Sequence, residues 1–188
     1  MSKDTKNIII RTLFNIAAEN GSLTVEEISK RSYITRTTIK SNFPDGIPGI
    51  VEFAYLKIVR EVNERLLSYP CEEVSLDVLA DILLPVLWAH KEEAHVIYSS
   101  QLPFRLIDSI SDEMWHWAKN RFNALIKEHG LANYFTGKEL LKYFNAQLVA
   151  VLTLWLEADI PVDLDLFRDK FLFLMKMSVR ELIYSGIE

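Results

Sequence analysis

The chain has 188 residues, 49% hydrophobic and 25% charged, enough to bury a sizeable core and too apolar for a disordered tail. Its one cysteine, Cys71, excludes an internal disulfide framework and fits a reducing compartment. No secretory pattern opens the chain, and the longest apolar run, Leu148 to Leu156, is far short of the ~20 residues that cross a bilayer, so a cytoplasmic protein without a membrane partner is expected. The net charge of −5 is unevenly spread: residues 1–46 hold seven Lys or Arg against five Asp or Glu, and the remainder fourteen against twenty-one. A basic head on an acidic body is the asymmetry of a chain that meets nucleic acid with its head alone.

In chain order, Ile9, Ile10, Leu13, Ile16 and Ala17 share one helical face, with Gly21 as the left-handed residue that closes the helix. Thr24-Val25-Glu26-Glu27 has the capping-box spacing, and Val25 and Ile28 follow toward a core. A turn at Ser32-Tyr33-Ile34 delivers Thr35, a second N-cap, and a helix to Phe43 that Pro44 stops. On this second helix Ile39 and Phe43 face inward. Thr37 and Ser41 point outward, Thr38 and Lys40 flank them, and Arg36 stands at the exposed end. A surface of Arg, Lys, Thr, Ser and Asn without a carboxylate suits a groove of phosphates and base edges. The same surface also describes an ordinary polar helix face.

These residues resemble the TetR/AcrR family of transcriptional regulators. The family's pattern is a helix ending in Gly, then Thr, an Ile-Ala pair, a Gly-Val-Ser turn and a Thr-Leu-Tyr-x-His-Phe recognition helix. Here the corresponding positions are Gly21, Thr24, Ile28-Ser29, Tyr33-Ile34-Thr35 and Thr38-Ile39-Lys40-Ser41-Asn42-Phe43. Tyr33 replaces the turn Gly, Lys40 the Tyr, Asn42 the His, and Gly46 a Lys that begins the next helix. The resemblance implies a helix-turn-helix DNA-binding domain over residues 1–46 and a helical dimerisation and effector-binding domain over 47–188. It implies DNA contacts from Thr24, Thr35, Arg36, Thr37, Thr38, Lys40, Ser41 and Asn42, with Arg36 and Thr37 nearest the base edges. It also implies a palindromic double-stranded operator, a homodimer, and a small-molecule effector that switches a repressor.

The body reads as all-α, with no convincing strand. Helices are expected from Ile47 to Tyr69 (Phe53, Leu56, Val59, Val62 and Leu66 on one side) and from Leu76 to Trp88, kinked at Pro85. Others run from His90 to Gln101, from an N-cap at Ser111 to His129, from Lys138 to Ala158, and from Asp163 to Ser185. The last two are apolar nearly all round and must be covered nearly all round. The expected dimer interface is Phe144, Leu148, Val151, Leu152 and Trp155 with Phe167, Phe171, Leu174 and Met175; the other reading buries both helices inside one subunit. Trp88, Tyr98, Phe104, Trp115, Phe122 and Tyr143 are candidates to line an effector pocket, or else simply to pack as core, and Asp81 is a candidate polar anchor there, or else faces solvent.

Catalysis has no candidate machinery. His90 and His95 are five apart and share no helix face, while His116 and His129 stand about 20 Å apart along one helix. No phosphate-binding loop, nucleophile elbow, metal site or cofactor motif is present in the sequence. A helical dimer that has lost DNA binding and serves as a protein-interaction module is the alternative, and a helical enzyme a more distant one.

Overall fold

A computed structural model of the chain describes residues 3–100, 102–158 and 162–177. Among them are ten α-helices and two single 3₁₀ turns, with no strand. The helices are α1 (Lys3–Ala18), α2 (Val25–Ser32), α3 (Arg36–Asn42), α4 (Ile47–Leu66) and α5 (Leu76–Ala89). They continue as α6 (Lys91–Tyr98), the single turn α7 (Leu102–Arg105), α8 (Ile107–Glu128), α9 (Gly137–Leu156) and α10 (Leu164–Lys176). The all-α expectation holds. The part of the last expected helix beyond Met177 lies outside the described residues.

The amino-terminal helix buries Ile9, Leu13 and Ile16, spaced four and three apart. Its end differs from the expectation by one residue. Asn20, not Gly21, takes the left-handed conformation, at φ 54. The Gly21 N–H donates to Ile16 O at 2.8 Å and the Asn20 N–H to Ala17 O at 2.9 Å, the paired bonds of a Schellman motif. Glycine serves at 21 for space, because a Cβ there would stand 2.8 Å from Ile16 Cγ2.

Helix α4 carries Pro48 in its first turn, where the missing N–H costs nothing. Its buried face is Ile50, Ala54, Ile58, Val62 and Leu66, a stripe rotated from the expected one. Phe53 lies at the margin, edge-on to Phe43 at 5.7 Å. Helix α5 runs through Pro85 without a break. The segment expected as one helix from His90 to Gln101 ends at Tyr98, and Pro103 sits inside the separate turn α7.

Ser111 is not an N-cap. Helix α8 begins at Ile107, and the buried Ser111 hydroxyl donates back to Ile107 O at 2.6 Å. It accepts from Asn145 Nδ2 at 2.9 Å, a polar tie from α8 to α9 inside the core. The helix with a full reciprocal cap is α9, where Thr136 accepts from the Glu139 N–H and Glu139 accepts from the Thr136 N–H. Those bonds hold the Glu139 carboxyl below its ordinary pKa.

Helix α8 packs chiefly on α9, and α10 packs on α5 and α9. A ring ladder fastens the last helix: Trp88 of α5 stacks on Trp155 of α9 at 5.7 Å, and Trp155 on Phe167 of α10 at 4.2 Å. Trp155 Nε1 also donates to Val162 O at 2.9 Å. Helix α6 touches α1, α4, α5 and α9, and one hydrophobic core continues from Ile9 through to Met175.

Candidate functional site

Three features of the fold stand out: the outer face of α3, a cavity in the body, and an apolar face on α9 and α10.

Each short helix begins at a threonine cap. The Thr24 hydroxyl accepts from the Glu27 N–H at 3.1 Å and the Thr35 hydroxyl from the Thr38 N–H at 3.2 Å. Such caps contribute about 1 kcal/mol each. Between the helices, Tyr33 sits at φ 58, ψ 18. The left-handed turn is therefore made with a non-glycine residue, at a cost of roughly 1–2 kcal/mol. Its side chain is 94% exposed and gains little packing in return. Inward, Ile28 and Ile39 are fully buried and Phe43 nearly so. Outward, Arg36, Thr37, Lys40 and Ser41 are exposed, and Thr38 and Asn42 are half-buried.

Some of this polar capacity is already used within the protein. Arg36 Nη2 is paired with Glu26 Oε1 across the α2–α3 gap, both side chains being well exposed. Asn42 Nδ2 donates to Thr38 O at 2.7 Å, which leaves its second amide hydrogen available. Ser41 Oγ donates to the same carbonyl at 3.0 Å. Lys40 makes no ion pair among the described residues. Arg31 is committed to the fold: it pairs with Glu27 at 2.6 Å and Glu19 at 2.5 Å, and these contacts lower the Glu27 pKa and raise that of Arg31.

Gly46 stands at φ 65, ψ −134, a region essentially closed to L side chains. A lysine there would strain the link into α4. The sequence reading treats position 46 as a lost cation; the backbone gives a sufficient reason for glycine.

Helices α4, α5, α8 and α9 line a partly open cavity of about 380 Å³. Its walls are almost wholly aliphatic and aromatic, with Arg121 the one charged residue among those that line it. Of the seven expected pocket residues, Tyr98, Phe122 and Tyr143 line it. The other four do not. Asp81 is exposed, bonded by Arg168 Nε at 2.8 Å across to α10. Trp88 belongs to the ring ladder, Phe104 is on the surface, and Trp115 packs against the small cluster around Cys71, Ala118 and Leu141.

Several polar groups border the cavity without having been expected. Tyr55 meets Tyr98 edge-on at 6.1 Å. Burial pushes the Tyr55 hydroxyl up to about 12 and that of Tyr98 well up, so both stay protonated. Burial also raises the Cys71 thiol, against the opposing pull of Arg121. Asn63 is only 7% exposed and also lines the cavity.

The expected dimer residues lie largely inside the single chain. Val151, Leu152, Trp155, Phe167, Phe171 and Met175 are buried, and Phe144, Leu148 and Leu174 are half-buried against the same core. Their own subunit covers them. The apolar side chains left exposed on these two helices are Tyr143 (66%) and Leu154 (65%) on α9 and Leu166 (71%) and Phe173 (50%) on α10.

Among the described residues no group of His, Cys, Asp and Glu is placed to hold a metal ion, and no helix is long and apolar enough to cross a membrane. Comparison of the chain with protein-family models, with curated proteins and with solved structures gives no match.

Proposed function

We propose that the chain is a homodimeric, sequence-specific DNA-binding regulator of the TetR/AcrR type, a repressor whose hold on a palindromic operator responds to a small molecule. The observation that carries this reading is the α2–α3 pair: two threonine-capped helices joined through a left-handed residue, the second offering solvent a cationic and hydroxyl face with no carboxylate of its own. That face is the right size and charge for the major groove. The resemblance of residues 21–43 to the family's motif supports the same reading.

Arg36 then reads base edges with Thr37, while Lys40, Thr38, Ser41 and Asn42 hold phosphates along with Thr24 and Thr35. Dimerisation falls to the exposed apolar face of α9 and α10, centred on Leu154 and Leu166, rather than to the stripe those helices bury within the subunit. The cavity takes the effector. Its volume lies at the small end of the range typical of small-molecule sites. No residue of this reading acts on a bond, so the chain is proposed as a binding protein and not an enzyme.

Selection of bound sites from random double-stranded DNA tests the core of the proposal. A palindromic motif whose retention falls with rising salt is the expected result, since phosphate contacts release counterions. One observation favours the module that has lost DNA binding: Arg36 is already paired with Glu26. Failure to enrich any motif over the starting pool, at low salt, decides for that second reading.

A further inference from the structure

Arg121 is unusual among the charged side chains of this protein. It is the one charged residue lining a largely apolar cavity, and no carboxylate lies within ion-pairing reach of it among the described residues. Its Nη1 donates to Cys71 O and to Val74 O, both at 2.6 Å, which fixes the guanidinium against the 3₁₀ turn that follows α4. A guanidinium has five N–H donors, and these two bonds use Nη1 alone. Nη2 and Nε make no hydrogen bond to a protein oxygen or nitrogen among the described residues, the Cys71 thiol being the remaining group beside the guanidinium. They form the edge that accepts a carboxylate in parallel, two-bond geometry.

A half-buried cation facing apolar walls without a counter-charge is costly unless something supplies the charge. Asn63 is a second polar group on the cavity wall. It sits one turn before the end of α4, just ahead of the segment whose carbonyls Arg121 grips. The rest of the cavity is long and mostly apolar. The residues of α8 that line it run from Ile107 to Leu125, about 27 Å of helix.

We infer that the cavity binds an elongated apolar molecule with one anionic head, the head held by the free edge of Arg121 and the tail lying along α8. The inference specifies the effector of the proposed regulator and rests on that reading for its consequence; the binding itself does not require DNA. An amphiphile with a neutral or cationic head would leave Arg121 uncompensated, or oppose it.

Three ten-carbon probes separate these cases: decanoate, decanol and decylammonium, titrated into the full-length protein by calorimetry. Decanoate is expected to bind at least about tenfold more tightly than decanol, because a hydrogen bond to a charged group is worth roughly 1.5–3 kcal/mol. Decylammonium is expected to bind weakest. In Arg121→Gln, whose amide can still donate to a backbone carbonyl, the preference for decanoate over decanol is expected to fall to within about twofold. Equal binding of decanoate and decanol to the wild-type protein, or no binding of any probe, overturns the inference whether or not the variant folds. So does a preference that survives in a folded Arg121→Gln. Operator release is read separately. Arg121-dependent binding of decanoate without any change in DNA affinity upholds the site and rejects its role as the effector switch.

Discussion

Replacing Glu26 by Gln is expected to strengthen DNA binding. Arg36 is paired with Glu26 Oε1 across the gap between α2 and α3, and to reach a base edge it must leave that partner. An exposed ion pair contributes roughly 0–1 kcal/mol, and both side chains are mostly solvated, at 60% and 69% exposure. Two heads acting together in a dimer would recover up to about 2 kcal/mol, or about thirtyfold in affinity at most. The carboxylate also repels the phosphates that Lys40 would meet, so its removal acts in the same direction. If each freed guanidinium displaces one more counterion, the slope of log affinity against log salt steepens by about 0.9 per head. Fluorescence anisotropy on the selected operator, at several salt concentrations, measures both quantities. Glu128→Gln, an exposed substitution at the far end of α8, controls for the change in overall charge. Unchanged affinity and slope in Glu26→Gln, or effects matched by the control, refute the claim that Arg36 exchanges a protein partner for DNA.

Tyr33→Gly is expected to stabilise the protein. It relieves a left-handed conformation worth roughly 1–2 kcal/mol, against about 0.4–1 kcal/mol of added freedom in the unfolded chain, and a 94% exposed ring has little burial to lose. The net gain of about 0.5–1 kcal/mol would raise the melting temperature by roughly 1–4 °C, and a fall in scanning calorimetry contradicts it. Leu154→Glu is expected to turn the dimer into a monomer in sedimentation at micromolar protein, at a subunit cost within about 0.5 kcal/mol because the residue is exposed in the chain. A dimer that persists unchanged removes this face as the interface. Trp155→Ala opens the ladder between Trp88 and Phe167 and is expected to cost about 3–5 kcal/mol in urea unfolding; a cost under about 1 kcal/mol would show that the ladder does not fasten α10.

Local signals were the legible ones. The caps at Thr24 and Thr35 and the inward turn of Ile28, Ile39 and Phe43 all follow from spacings of three and four residues, and the structure has each of them. The T-x-x-E box at Thr136 is written in the same spacing, and α9 begins beside it at Gly137, one residue ahead of the expected start at Lys138. At Ser111 the acidic pair Asp112 and Glu113 imitates the first turn after a cap, although Ile107 and Ile110 before it already have helical spacing. The apolar neighbours of Asp81 in sequence leave a buried anchor and a solvent-facing carboxylate both open. Asp77, Asp81 and Pro85, four apart, in fact form the exposed row of α5, and Arg168 joins the first two from α10. For α9 and α10 the sequence had two apolar stripes apiece and no means of choosing. Which stripe meets its own subunit depends on α5, far earlier in the chain, and on how α8 folds back on α9. Arg121 was silent for a similar reason: a guanidinium held by backbone carbonyls leaves no complementary residue to notice.

Besides α4, which lines the cavity and packs on α1, the element that joins the cavity to the head is α6. This helix presents Tyr98 to the cavity and at the same time packs on α1, whose Ile9, Leu13 and Ile16 share one core with α2 and α3. Two histidines tie it to the cavity's walls. His95 Nδ1 donates to the Leu156 carbonyl of α9 at 2.8 Å, and His90 Nε2, at its start, lies 3.3 Å from Glu61 of α4. A ligand that spreads α4 from α9 must therefore stretch one tie or carry α6 with it, and α6 cannot slide without disturbing α1. Ligands bias only states they bind differently, so the coupling requires a second position of α6 with a different cavity. Amide hydrogen exchange with and without decanoate locates it. Protection changing in α6 and α1 together is the expected pattern, while a change confined to α8 and α9 would leave the head uncoupled from the site.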